Sequence, residues 1–312
     1  MTTALLPQFA RAALEPRLPD WIAAEWWHDG PSMLAAAPRA EIAWVDMFDK
    51  TAPLAAIGSA SPLRWLNSGF AGVDWLPLAD LAARDVVLTN GGGLTANQVA
   101  EFALLTMLSV ARGYRQIVRA QDQGHWLTAP SAVRELGGSR ALVIGYGAIG
   151  QAIGGLLKAF GVDVIPVRRS GGEGALGPGE WQARLGGFDW VVLALPGTPD
   201  TAQVIGRAEL AAMRREAVLV NVARAGCVDQ PALVEALRTH TIAAAILDLT
   251  DPEPLPPGHP LWTLDNAHIT MHLAGIPTPA THARAVERFV ANLARFRAGE
   301  PLEAAVDLAL GY

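Results

Sequence analysis

From residue 139 onward the chain alternates between short apolar runs and longer amphipathic stretches. The apolar runs predict strands at 141–145, 162–167, 189–195, 217–222, 243–248 and 267–271. The intervening stretches predict helices at 149–160, 207–214 and 230–239. Short, uninterrupted apolar strands separated by helices indicate βαβ units and a parallel sheet covered on both faces. Asp229 (or Gln230) ahead of Pro231 supplies a helix start, a capping side chain followed by proline in the first turn. The first ninety residues are patterned differently. Apolar pieces at 42–48, 64–66 and 86–88 lie among many prolines, glycines and tryptophans, and predict a smaller α/β domain.

Gly91-Gly92-Gly93 reads as a hinge, because three glycines leave the backbone free. One long amphipathic helix is expected at 97–121. A second crossing is expected near Gly275-Ile276-Pro277, followed by a helix at 281–298 that returns to the first domain. The pattern predicts two domains, one discontinuous (1–95 plus 277–312) and one continuous (96–276). The fold class expected is α/β, built on doubly wound parallel sheets. A glycine-rich loop, SGGEGALGPG, occupies 170–179.

The chain has 312 residues, of which 51% are hydrophobic and 17% charged. That is enough apolar material for two packed domains and too little charge for a disordered chain. Net charge is −6 with no basic tail or stripe, so no nucleic-acid partner is expected. Lys50 and Lys158 are the only lysines. The single cysteine, Cys227, excludes an internal disulfide and fits a reducing, cytoplasmic compartment. The N-terminus lacks a signal-peptide pattern, and no run of about 18 apolar residues predicts a membrane span.

The strand at 141–145 runs directly into Gly145-Tyr146-Gly147-Ala148-Ile149-Gly150, a G-x-G-x-x-G turn that opens the helix at 149–160. A dinucleotide pyrophosphate needs a backbone free of side chains and a helix N-terminus aimed at its charge. The order strand, motif, helix, strand supplies that context. An NAD site usually ends its second strand in an acidic residue that bonds the adenosine ribose. Here the strand ends in Arg168-Arg169-Ser170, and Asp163 sits too early to take that role. A carboxylate would repel a ribose 2′-phosphate, whereas two guanidiniums and a hydroxyl would bind it. NADP(H) is the expected cofactor, with NAD(H) possible.

Ligands of a doubly wound sheet lie outside the carboxyl ends of its strands. Arg224, Glu253 and His272 each follow a different strand end. Arginine supplies a two-pronged clamp for a substrate carboxylate and polarises the neighbouring carbonyl. A protonated histidine donates to the carbonyl oxygen as hydride arrives at carbon, and a glutamate beside it favours the imidazolium. Each residue alone has a bland account: a loop arginine, a solvated glutamate, a surface histidine. Their joint placement suits reduction of a 2-keto acid. Asp248 ends its strand, where an aspartate can accept from a nicotinamide carboxamide. Ala71 and Gly72 lie on a loop that could present backbone N–H groups to an anion, and a plain turn accounts for them equally well. His268 and His272, roughly 13 Å apart if extended at about 3.3 Å per residue, do not suggest a metal site.

Eight blocks together resemble the D-isomer-specific 2-hydroxyacid dehydrogenase family: GFAGVDW, TNGGGLTANQVAEFALLTML, IGYGAIG, DWVVLALPGTPDT, LVNVARAGCVDQPALVEAL, AAILDLTDPEPLPPGHPLW, HITMHLAG and NLARFRAGEPL. The resemblance is close over 62–302. It implies two Rossmann-like domains with the active site in the cleft between them, and a homodimer built around the helix at 97–121. It carries the family's catalytic residues onto Arg224, Glu253 and His272, its carboxamide-binding aspartate onto Asp248, and its substrate-carboxylate loop onto Ala71 and Gly72. Leu195, Pro196, Thr198, Val222 and Ala223 join the expected cofactor set, and Thr95 the substrate set. Leu94-Thr95 and the basic end of the second strand resemble the glyoxylate/hydroxypyruvate and hydroxyphenylpyruvate reductase branch. Glu253 argues against the formate dehydrogenases, which carry glutamine there. The function expected is an NADPH-preferring reductase of small 2-keto acids to D-2-hydroxy acids. The alternatives are an NAD-dependent, phosphoglycerate-like dehydrogenase and a nucleotide-sensing, corepressor-like interaction protein.

Overall fold

Leu5 and Leu6 expose almost no surface, and they make the N-terminal stretch a strand that the hydrophobic pattern did not predict. The structure, a computed structural model, describes every residue except Ala132 and Glu173. Glu173 belongs to the glycine-rich loop at 170–179, so that part of the loop lies outside the described residues. The chain divides into two units, Met1–Thr95 with Pro277–Tyr312, and Ala96–Ile276.

In the first unit five strands, β1 (Thr2–Pro7), β2 (Ile22–Trp27), β3 (Ile42–Trp44), β4 (Trp65–Asn67) and β5 (Val87–Thr89), pair in parallel in the order β2-β1-β3-β4-β5. The helices α1 (Arg11–Leu14), α2 (Gly30–Ala36), α3 (Thr51–Ser59) and α4 (Leu78–Ala83) connect them. β2 was also unforeseen. It is an edge strand reading Ile-Ala-Ala-Glu-Trp-Trp, with four half-buried positions, so it carries no continuous apolar run.

The second unit holds the helices α5 (Ala96–Ala111), α6 (Tyr114–Asp122), α7 (Ala148–Ala159), α8 (Arg207–Ala212) and α9 (Gln230–Arg238). Its strands are β6 (Arg140–Ile144), β7 (Asp163–Val167), β8 (Trp190–Leu193), β9 (Val218–Asn221), β10 (Ala244–Leu247) and β11 (Ala267–Ile269). All pair in parallel in the order β11-β10-β9-β8-β6-β7. Side chains alternate faces along a strand, and here both faces are buried. Leu142 and Ile144 join one core with Leu233 and Leu237 of α9. Ala141 and Val143 join the other with Ile153 and Leu157 of α7. Burial on both sides is why these strands read as unbroken apolar runs.

The single helix expected at 97–121 is two. Gly113 breaks it with a left-handed φ of 62°, a conformation that other L-residues adopt only at a cost. The last helix, α10 (Pro279–Ala298), begins two residues earlier than expected, capped by the Thr278 side chain, which accepts from Thr281 N. It belongs to the first unit. Phe289 stacks on Trp65 with ring centroids 4.8 Å apart, and Arg288 Nη1 donates to Asn90 O and Gly92 O at 3.2 and 2.9 Å.

Candidate active site

The second sheet changes direction at β6. The chain steps outward to β7, then returns to the far side of β6 to lay down β8. The glycine motif leaves the sheet at this switch point, where doubly wound sheets bind their ligands. Gly145 has φ +90°, and a Cβ there would fall 2.5 Å from Ala194 O at the end of β8. A Cβ on Gly150 would fall 2.0 Å from Gly145 O, so this glycine lets α7 pack against the turn. A Cβ on Gly147 would meet nothing within 4 Å. Its open face lies at the start of α7 (Gly147 is the N-cap), where the first helical N–H groups lack intrahelical acceptors. These three environments fit a pyrophosphate laid over the turn. Tyr146, Ala148 and Ile149 complete the motif.

Arg168, Arg169 and Ser170 follow β7 and are exposed. The Arg168 guanidinium lies over the Tyr146 ring, 5.1 Å from its centroid. Asp163 is at the opposite end of β7, paired with Arg140 Nε at 3.0 Å. Leu195, Pro196 and Thr198 form the loop after β8, in which Thr201 Oγ1 donates to Pro196 O at 2.7 Å and accepts from Thr198 N at 2.9 Å. Val222 and Ala223 follow β9 and are buried.

The expected catalytic residues emerge from the same carboxyl edge. Arg224 lies three residues beyond β9. Asn221, 1% exposed, brackets this turn: its Oδ1 accepts from Ala223 N at 3.0 Å, and its Nδ2 donates to Arg224 O at 2.9 Å. The Arg224 guanidinium donates to Ala223 O at 2.7 Å. A Cβ on Gly197 would come within 2.8 Å of Arg224 Cγ, so glycine there clears the path of the arginine side chain.

His272 Nδ1 and Glu253 Oε2 are 2.9 Å apart. The other glutamate oxygen, Oε1, accepts from Thr250 N at 3.0 Å. β11 stops at Ile269, two residues short of the expected strand, because Met271 and His272 turn into the left-handed region with φ of 58° and 59°. Each such non-glycine residue costs about 1–2 kcal/mol and persists where its surroundings over-determine it. Asp248 supplies that constraint. Its Oδ1 accepts from Thr270 Oγ1, Leu273 N and Ala274 N at 2.7, 3.0 and 3.2 Å, and its main-chain O accepts from His272 N at 2.5 Å. Asp248 is 4% exposed. It therefore fastens the histidine turn, a role that its position at a strand end did not reveal.

Ala71, Gly72 and Thr95 lie in the first unit. The loop at 69–72 is clamped from several sides. Gly69 N donates to Asp46 Oδ2 at 2.5 Å, Ser68 Oγ to Asp46 Oδ1 at 2.7 Å, Gly91 N to Phe70 O at 2.8 Å and Asn90 Nδ2 to Ala71 O at 2.8 Å. A Cβ on Gly91 would fall 2.0 Å from Gly69 O, so close approach, rather than hinge freedom, accounts for glycine there. The Lys50 ammonium sits 4.1 Å from the Phe70 ring centroid and 4.4 Å from that of Trp75. Among the described residues, the N–H groups of Ala71 and Gly72 donate to nothing.

The sequence profile described as D-isomer specific 2-hydroxyacid dehydrogenase, NAD binding domain, matches residues 104–274. The chain is 32% identical to a glyoxylate reductase of Korarchaeum cryptofilum over 78% of this chain and 75% of that protein. It is 33% identical to a D-3-phosphoglycerate dehydrogenase of Methanocaldococcus jannaschii over 69% of this chain, and that match spans 42% of the relative's length. A solved D-isomer specific 2-hydroxyacid dehydrogenase of Xanthobacter autotrophicus Py2, in complex with NADPH and MES, superimposes with a TM-score of 0.82 at 31% identity, covering all of both chains.

Proposed function

The chain belongs to the D-isomer specific 2-hydroxyacid dehydrogenase family, and from that premise we propose that it is an NADPH-preferring reductase of small 2-keto acids, glyoxylate and hydroxypyruvate foremost, yielding D-2-hydroxy acids. The observation that carries the reading is the contact of His272 Nδ1 with Glu253 Oε2 at 2.9 Å, on the sheet edge that also bears the glycine motif. A bound nicotinamide cofactor supplies the hydride. With Nδ1 engaged by a carboxylate, the histidine's other nitrogen, Nε2, faces the substrate and donates its proton to the carbonyl oxygen. Arg224 pairs with the substrate carboxylate and polarises the adjacent carbonyl. In the first unit, the N–H groups of Ala71 and Gly72 are donors of the kind that hold a carboxylate, and Thr95 is the third residue there assigned to substrate binding. Asp248 Oδ2 is the oxygen left for a carboxamide. Arg168, Arg169 and Ser170, exposed after β7, receive the ribose 2′-phosphate.

The test is a steady-state screen of 2-keto acids against NADPH and NADH, read by loss of reduced-nicotinamide absorbance. Turnover of glyoxylate or hydroxypyruvate with a preference for NADPH is expected. No oxidation with any keto acid would overturn the reading. The phosphoglycerate dehydrogenase relative favours a second reading, an NAD-linked oxidation of a phosphorylated hydroxy acid. A turnover ratio that favours NAD(H) selects it.

A further inference from the structure

We propose that Tyr146 is a positioning residue for cofactor choice: its ring holds the Arg168 guanidinium ready for the ribose 2′-phosphate, and the preference for a phosphorylated adenosine depends on that ring. The inference rests on the NADPH reading above.

Tyr146 is the second residue of the glycine motif, yet its side chain turns back along α7. A Cβ built on Gly154, two turns into that helix, would fall 2.5 Å from the Tyr146 hydroxyl oxygen and 2.9 Å from its Cε2. The bare backbone at Gly154 is thus the seat of the ring. The same ring carries Arg168, whose Cζ lies 5.1 Å from the centroid. The base of Arg168 is fixed as well. Its N–H donates to Leu176 O at 2.9 Å, and Leu176 N donates to Pro166 O at 2.9 Å. These bonds tie the chain just after β7 to Leu176, and the arginine is held at its backbone and at its guanidinium.

An exposed arginine samples many rotamers, and these are given up when its guanidinium grips a phosphate. Stacking surrenders part of that freedom before the ligand arrives, so less is lost on binding. A contact with a ring does not consume the guanidinium's hydrogen-bonding capacity as an acceptor would, so its N–H donors stay available for phosphate oxygens. An aliphatic residue at 146 would fill space over Gly154 but offer no π face. Phenylalanine would keep the face and lose only the hydroxyl.

The test measures binding by calorimetry, using adenosine 2′,5′-bisphosphate and adenosine 5′-monophosphate as probes for the wild type, Y146L, Y146F, G154A, R168A and the double variant Y146L/R168A. An exposed cation–π contact corresponds to about a 2- to 5-fold change in affinity. Y146L is expected to weaken the bisphosphate by about that factor and leave the monophosphate unchanged. Y146F should retain the wild-type discrimination. G154A should act like Y146L, because the new methyl displaces the ring. Adding Y146L to R168A should cause no further loss of discrimination. Equal weakening of both probes by Y146L, or a Y146F as impaired as Y146L, would overturn the proposal. Loss of discrimination in R168A but not in Y146L would overturn this inference alone. A wild type that binds both probes equally would overturn the NADPH reading and this inference with it, whereas an R168A that keeps its preference would overturn this inference alone.

Discussion

Gln230 at the start of α9 grips Asp251 on both sides: its Oε1 accepts from Asp251 N at 2.9 Å, and its Nε2 donates to Asp251 O. The loop so held carries Glu253 two residues later. Gln230→Ala removes both bonds without touching the substrate. A general acid slightly out of place can cost up to about 10²-fold in rate. The expected result is a lower kcat with KM for NADPH unchanged. An unchanged kcat would show that the loop holds its place without Gln230.

His272→Asn keeps a hydrogen-bonding side chain but removes the proton donor. General acid catalysis contributes about 10²–10⁴-fold, and a loss of that order in kcat is expected. Affinity for NADPH, followed by quenching of protein fluorescence, should stay near the wild-type value. Residual turnover within a few-fold of wild type would remove His272 from the role of acid.

The glycine motif separates packing from ligand access. Gly150→Ala places a methyl 2.0 Å from Gly145 O, and overpacking of this kind typically costs about 1–3 kcal/mol. Gly147→Ala meets nothing within 4 Å, so stability should move by no more than about 0.5 kcal/mol. Cofactor affinity should nevertheless fall in Gly147→Ala, because on the proposed reading its methyl stands where the pyrophosphate lies. Thermal melts paired with cofactor titrations distinguish the two. If Gly147→Ala binds cofactor normally, the phosphates do not cross that face.

His268 is expected to make folding sensitive to acid. Burial first, then the charges of Arg115 and Arg119, push its pKa down from 6.5 to about 4. The unfolded chain takes up this proton near pH 6.5, the folded chain only near pH 4. Stability from the neutral imidazole is therefore complete above pH 6.5 and drains away as pH falls toward 4. At about 1.4 kcal/mol per pKa unit the loss reaches roughly 3 kcal/mol. His268→Asn should flatten that part of the stability curve in urea unfolding. An unaltered slope between those pH values would assign the acid sensitivity to other groups.

Most of the second unit's sheet was legible in one dimension. Burial on both faces writes an apolar run directly into the chain, so the six strands β6–β11 fall within a residue or two of their expected limits. The glycine motif was equally local, because a tight turn and a close helix demand particular residues at fixed offsets. Other features depend on residues far apart in sequence. β1 and β2 become strands by pairing with each other. The break before α6 turns on one left-handed glycine within an otherwise helical pattern. The contact of His272 with Glu253 spans 19 residues, the grip of Gln230 on Asp251 spans 21, and the bond from Leu273 N to Asp248 spans 25. Hydrophobic period and turn chemistry are local properties, and the amino-acid order alone determined what they govern. Which hydrogen bonds hold those side chains in place at the sheet edge depends on loops closing over the folded strands, and only the tertiary structure decided it.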